Sequence, residues 1–136
     1  MQIADCSSYQ DWIDLYKRLV YWELELSSAD SSMTEMLKMQ KEEANNAFAK
    51  FIKKNYLDWV DPEKMSTVNR PLMSPDLFKT DVFPILNEGK KVFLIVIDNF
   101  RFDQWRVLAA EIGDMFDIEE DIYCSSDHAA SHLVDA

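Results

Sequence analysis

Asp98 is the side chain most suggestive of chemistry, because it ends an uninterrupted apolar run, Val92 to Ile97, and opens a polar stretch. A carboxylate delivered by the end of a buried strand can serve as a metal ligand, as a phosphoacceptor, or as a cap for a following helix. The phosphoacceptor role calls for an acidic pair on an earlier strand, and no earlier strand is evident. A second constellation lies near the end of the sequence given, where His128 and His132 stand four apart with Asp127 adjacent. That spacing puts two imidazoles on one helix face, but a pair without a third placed ligand is a weak metal site. The segment from 125 to 136 reads more simply as a disordered terminus. Cys6 and Cys124 show no metal-pair spacing and are expected to be reduced, incidental thiols.

The elements that must position Asp98 follow from the same stretch. Six consecutive apolar residues, four of them β-branched, cannot alternate faces, so a strand here is covered on both sides, as in a parallel sheet flanked by helices. From Phe102 onward Trp105, Val107, Leu108, Ile112 and Phe116 recur at helical spacing, with Gly113 where a helix end favours glycine. The unit reads as strand, turn, helix, with Asp98 at the carboxyl end of the strand, where open α/β sheets hold their ligands. A second strand is expected over Asp117 to Cys124.

The upstream half reads as helical. Ser8 and Asp11 form an acidic capping box, and Trp12, Leu15, Tyr16, Leu19, Trp22 and Leu26 make one apolar stripe, predicting a helix from Tyr9 to Leu26. After a polar break at Ser27 to Ser31, Ser32 and Glu35 repeat the pattern, and a second helix runs to about Asn55 through Leu37, Ala44, Ala47, Phe48 and Phe51. So short a connection makes the two helices antiparallel, with Trp12, Trp22 and Phe48 in the core. Met33, Met36 and Met39 read as gap-fillers or as an adaptable binding surface. Lys38, Lys41, Glu42 and Glu43 read as a solvated face. Asp61-Pro62 closes this half, Glu63 to Met73 reads as a loop, and Ser74-Pro75-Asp76 predicts a helix start with Ser74 as N-cap. Pro84 is expected to kink or end that helix before Gly89.

Composition sets the bounds. With 136 residues the chain has room for one modest domain or two pieces of domains, and two glycines and four prolines argue against an all-β fold. Neither a bilayer-length apolar run nor an apolar leader is present, so a cytoplasmic location without membrane insertion is expected. The net charge of −11 is uneven: residues 1–91 hold 15 acids and 12 bases, whereas 92–136 hold 10 acids against Arg101 and Arg106. That acidic end repels nucleic acid, so no direct DNA binding is expected.

Two segments carry a resemblance. The string from Val96 to Trp105, Val-Ile-Asp-Asn-Phe-Arg-Phe-Asp-Gln-Trp, resembles the opening strand and turn of the PglZ domain, a branch of the alkaline phosphatase superfamily. The stretches from Asp11 to Leu26 and from Glu35 to Asn45 resemble the helical middle domain of PorX-type response regulators of the type IX secretion system, which carry a PglZ domain. The likeness covers about residues 9 to 124. It implies a cytoplasmic two-component signalling protein whose intact PglZ domain is a zinc-dependent phosphodiesterase acting on oligonucleotides and regulating secretion. Asp98 is then the first metal ligand. Asn99, Arg101 and Asp103 match the family's turn as structural residues or supports of that ligand, although Arg101 could equally pair with Asp98.

The chain departs from the family where a Leu-Pro-Thr-x-Thr segment should bring the nucleophilic threonine. Ala129 and Ser131 stand at the two threonine positions, and the later Asp and His ligands are not in the sequence. The resemblance places a receiver domain before the helical region, and none is expected within the sequence given. We therefore expect an α+β fragment: a helical bundle region at 1–62, a linker and connecting helix at 63–91, an incomplete PglZ domain beginning with βαβ at 92–124, and a divergent tail at 125–136. No residue is assigned a catalytic role and the chain itself is expected to be inactive. The alternative reading is a helical interaction module that binds secretion-motor or transcription-factor proteins, with a non-catalytic βα remnant.

Overall fold

The structure is a computed structural model, and it describes residues 3–26, 31–118, 123–124 and 129–130. The chain divides into two compact units, Met1–Arg70 and Pro71–Ala136.

The first unit is a helical hairpin preceded by a 3₁₀ turn at Ile3–Asp5. Helix α1 spans Tyr9–Glu25 and helix α2 spans Ser31–Val60. The start of α1 is fixed by the capping box: Ser8 Oγ accepts the Asp11 N–H at 3.3 Å, and Asp11 Oδ2 accepts the N–H of Ser8 at 2.8 Å and of Ser7 at 3.0 Å. The backbone N–H of Ser8, then that of Ser7 and the Ser8 hydroxyl, hold the Asp11 carboxyl down to about 2.

The helices run antiparallel. Near one end of the hairpin Trp12 meets Phe48 and Phe51, with ring centroids 5.4 and 5.9 Å apart, while toward the other Lys41 Nζ reaches Glu23 Oε1 at 2.6 Å. Trp12, Leu15 and Ala44 form the buried centre, with Ile3, Cys6, Leu19, Ala47, Phe48 and Phe51 packed around it. Trp22, expected in this core, is instead 52% exposed and lies edge-on to Tyr21. The apolar contacts of α1 lie at the other end, where α2 supplies Ala44, Phe48 and Phe51, whereas beside Trp22 the next residue, Glu23, meets α2 through the ion pair with Lys41.

Helix α2 also runs past Asn55, whose Nδ2 bonds back to the Phe51 carbonyl at 2.8 Å. The extra turn carries the buried Trp59, packed on Phe51 at 5.7 Å. Pro62, with no N–H to give, prevents further helix. Asp61 closes the end, its Oδ1 accepting from Glu63 N–H at 3.0 Å and its carbonyl from Lys64 and Met65.

In the second unit a 3₁₀ turn, Ser74–Asp76, is capped one residue earlier than expected. Met73 is the N-cap, and its N–H donates to Asp76 Oδ2 at 3.3 Å. A wide π-helical turn, Phe78–Val82, then leads into the short helix α3, Phe83–Asn87. The widening has a cause in Pro84, which lacks a donor and whose ring would collide with the carbonyl four residues back in a regular helix. Helix α3 ends in a Schellman motif at Gly89, φ 77°, with Gly89 N–H bonded to the Leu86 carbonyl and Lys90 N–H to that of Ile85. Helix α4 spans Phe102–Ile112 and buries Phe102 and Trp105.

The expected α+β architecture is corrected here. Residues 92–97 form no strand, and no βαβ unit exists among the described residues, whose regular structure is helical apart from one two-residue antiparallel bridge. That bridge joins β1, Tyr123–Cys124, to β2, Ala129–Ala130. The physical reason is that a strand satisfies its backbone only through neighbouring strands, and none of the described residues supplies one beside 92–97. Apolar content alone cannot make a sheet. Half of the expected second strand, residues 119–122, together with Asp127, His128, Ser131 and His132, lies outside the described residues. No helix among the described residues is long and apolar enough to cross a membrane.

Candidate functional site

The turn between residues 97 and 102 presents Asp98. Asn99 adopts a left-handed conformation, φ 55°, which asparagine tolerates better than most side chains, and its N–H donates to Asp98 Oδ1 at 2.9 Å. The backbone thus reverses under an exposed carboxylate.

Asp98 is not the cap of α4. That position belongs to Arg101, in extended conformation, whose N–H donates to Gln104 Oε1 at 3.0 Å and whose carbonyl accepts the Trp105 N–H at 3.0 Å. Gln104 was the missed residue. Its signal was available in the sequence, since a glutamine three residues after the N-cap is the reciprocal half of a capping box.

Arg101 is engaged by Asp103. Its Nε and Nη2 donate to Asp103 Oδ1 and Oδ2 at 2.9 and 2.7 Å, a two-pronged pair that pulls the Asp103 carboxyl below its ordinary range, mainly through hydrogen bonding from the guanidinium. Thus Asn99 shapes the Asp98 turn, while Arg101 and Asp103 brace the helix that follows it. The buried Phe102 and Trp105 anchor the same first turn of α4 from its apolar side.

Chemically, an exposed carboxylate on a reversed turn can offer oxygen to a cation. A zinc site needs about four donors, and no group of three or more His, Cys, Asp or Glu side chains converges among the described residues. The donor set around Asp98 therefore does not fit the two-metal centre that the resemblance implies, and no reaction step is derived through one.

With this geometry in place, the family comparisons fall on the two units separately. Residues 1–60 match the family described as the PorX response regulator linker domain, and residues 77–132 match the BREX system PglZ alkaline phosphatase-like domain. The chain thus joins a response-regulator linker to an alkaline-phosphatase-like segment. That pairing, in that order, is of the PorX type, and the chain carries its linker and PglZ-like regions. No curated protein matches the chain.

Proposed function

We propose that this chain is part of a PorX-type two-component response regulator whose complete PglZ domain is a zinc-dependent phosphodiesterase acting on oligonucleotides and regulating type IX secretion. The observation that carries the reading is the succession of the two family matches, linker then PglZ, with Asp98 inside the second. In this reading Asp98 gives one metal ligand. It sits on an exposed turn ahead of a helix whose start is secured independently by Arg101 and Gln104, so the carboxylate is not consumed as a cap. The remaining ligands come from residues that do not gather around Asp98 in the described part of the chain, and the chain alone is expected not to hydrolyse phosphodiesters.

The test is zinc content and turnover of a short oligonucleotide, measured on this chain and on a version extended through a complete PglZ domain. The extended protein is expected to bind zinc and cleave, and Asp98→Asn is expected to lower turnover on the order of 100-fold. An extended protein indifferent to Asp98→Asn overturns the assignment.

A second reading is favoured by one specific observation. Tyr21, Trp22, Met33, Met36 and Met39 are all exposed on the hairpin. Large apolar side chains left open suit a protein-binding surface, here for secretion-motor or transcription-factor partners. In that case Trp22→Ala abolishes partner capture, while Asp98→Asn and zinc chelation leave it intact.

A further inference from the structure

Helix α2 carries a second periodic stripe that the hairpin does not use. Positions 36, 39, 43, 46, 50, 53, 57 and 60 follow one another in alternating steps of three and four, the spacing of a coiled-coil seam, and all of them are exposed. They share a side of the helix distinct from the one that buries Leu37, Ala44 and Trp59. The apolar members stand at the two ends: Met36 and Met39 are 58% and 66% exposed, Leu57 and Val60 74% and 44%. Between them lie Glu43, Asn46, Lys50 and Lys53. Glu43, Lys50 and Lys53 enter no ion pair among the described residues.

The order of these residues chooses the occupant, because the stripe complements itself when reversed. In an antiparallel coiled coil each first seam position of one helix packs against the second seam position of the other. A two-fold axis at the level of residue 48 then sets Met36 of each copy against Val60 of the other, Met39 against Leu57, Glu43 against Lys53 and Asn46 against Lys50. Slipping by one heptad in one direction sets Met36 and Met39 against lysines, and slipping in the other sets Lys50 against Lys53. Parallel in-register pairing sets Glu43 against Glu43 and Lys50 against Lys50. The wider charge of the helix agrees with the reversed register, since Glu35, Glu42 and Glu43 lie in its first half, whereas residues 46–57 hold Lys50, Lys53 and Lys54 and no acid.

We propose that this stripe of α2 is a homodimer seam, through which two copies of the chain pair as an antiparallel coiled coil with apolar contacts at both ends and two Glu43–Lys53 ion pairs inside. The inference rests on neither functional reading above: it needs no metal, and of the residues offered there for partner binding it uses only Met36 and Met39. The arrangement is isologous and closes at two copies, because each supplies the same seam and both seams are consumed. Polar residues within the seam lower its stability while fixing register and direction, so the dimer forms with rising concentration rather than permanently.

Sedimentation velocity of the full chain over a wide range of concentrations tests this, with far-UV circular dichroism to verify that each variant keeps its helical signal. The wild-type chain is expected to pass from monomer to dimer. E43K and K53E, each at an exposed position, set like charges opposite one another and are expected to weaken the dimer roughly tenfold at low salt and less at high salt. The combined E43K/K53E variant is expected to regain it. An equimolar mixture of the two single variants is expected to regain it as well, because opposite signs then meet in both charged layers. Leu57→Glu, which sets a carboxylate against Met39, is expected to abolish pairing. A wild-type chain that stays monomeric, an association indifferent to the single reversals or to Leu57→Glu, or a combined variant and a mixture no better than the single variants overturns the proposal.

Discussion

Glu23 and Lys41 lie 18 positions apart in sequence, yet their charged ends meet at 2.6 Å across the hairpin, joining the last turns of α1 to the second quarter of α2. Both side chains are about half exposed, so the pair sets register more than it stabilises. Separate removal of each residue and a double-mutant cycle are expected to give a coupling of about 0.5 kcal/mol at low salt. In high salt the coupling should fall toward zero. Urea titrations of the four proteins measure it, and a salt-independent coupling of several kcal/mol contradicts the exposed geometry.

The opposite end of the hairpin holds the energy. Trp12 is buried against Phe48 and Phe51, so Trp12→Ala is expected to cost about 3–5 kcal/mol and to remove cooperative melting of the first unit. The buried indole Nε1 has no acceptor among the described residues. Trp12→Phe therefore sacrifices no hydrogen bond there and should cost much less. Thermal melts by circular dichroism distinguish the two variants, and equal losses contradict the packing.

Acid tests the cap of α1. The Asp11 carboxyl is held at about 2 in the folded chain, below its ordinary value of 3.8. The folded value is the lower one, so the unfolded chain binds the extra proton first. The contribution is fully present above about pH 4 and is lost as pH falls toward 2. Asp11→Asn is expected to flatten the dependence of stability on pH in that window and to leave the slope above pH 5 unchanged. Urea midpoints across pH 2 to 6 provide the measurement.

Gly89 offers a backbone experiment free of packing effects. A Cβ added there meets no atom within 4 Å, but φ is +77°. Gly89→Ala is expected to cost about 1 kcal/mol through conformation alone, and Gly89→Asn less, because asparagine visits this region more easily. Faster amide exchange at Gly89 and Lys90 in the alanine variant, with smaller change in the asparagine variant, is the expected signature.

Local, short-range chemistry was legible in the sequence. Ser8 and Asp11 named their own helix start because a cap requires only residues three apart. The Gly89 helix end and the Asp61-Pro62 stop are marked by backbone requirements that few residues meet. Trp22 was misplaced because periodicity says which residues share a face but not what the facing helix supplies, and next to Trp22 the contact across the hairpin is the Glu23–Lys41 ion pair. The larger miss, 92–97, has the same root at a longer range: β-structure is a relation between segments, whereas the apolar run describes only one. At the candidate site, Asp98 stood out as a carboxylate ending that run, while the cap formed by Gln104 and Arg101 went unread beside the more conspicuous Asp98.

The unequal helices of the hairpin carry a mechanical implication. Helix α2 has 30 residues, about 45 Å of continuous rod, against 17 residues in α1, and its far turns reach the aromatic cluster through Trp59 and Phe51. A twist or thrust delivered near Asp61 is thereby felt at Trp12 without crossing any loop. A linker built this way behaves as a stiff lever rather than a tether.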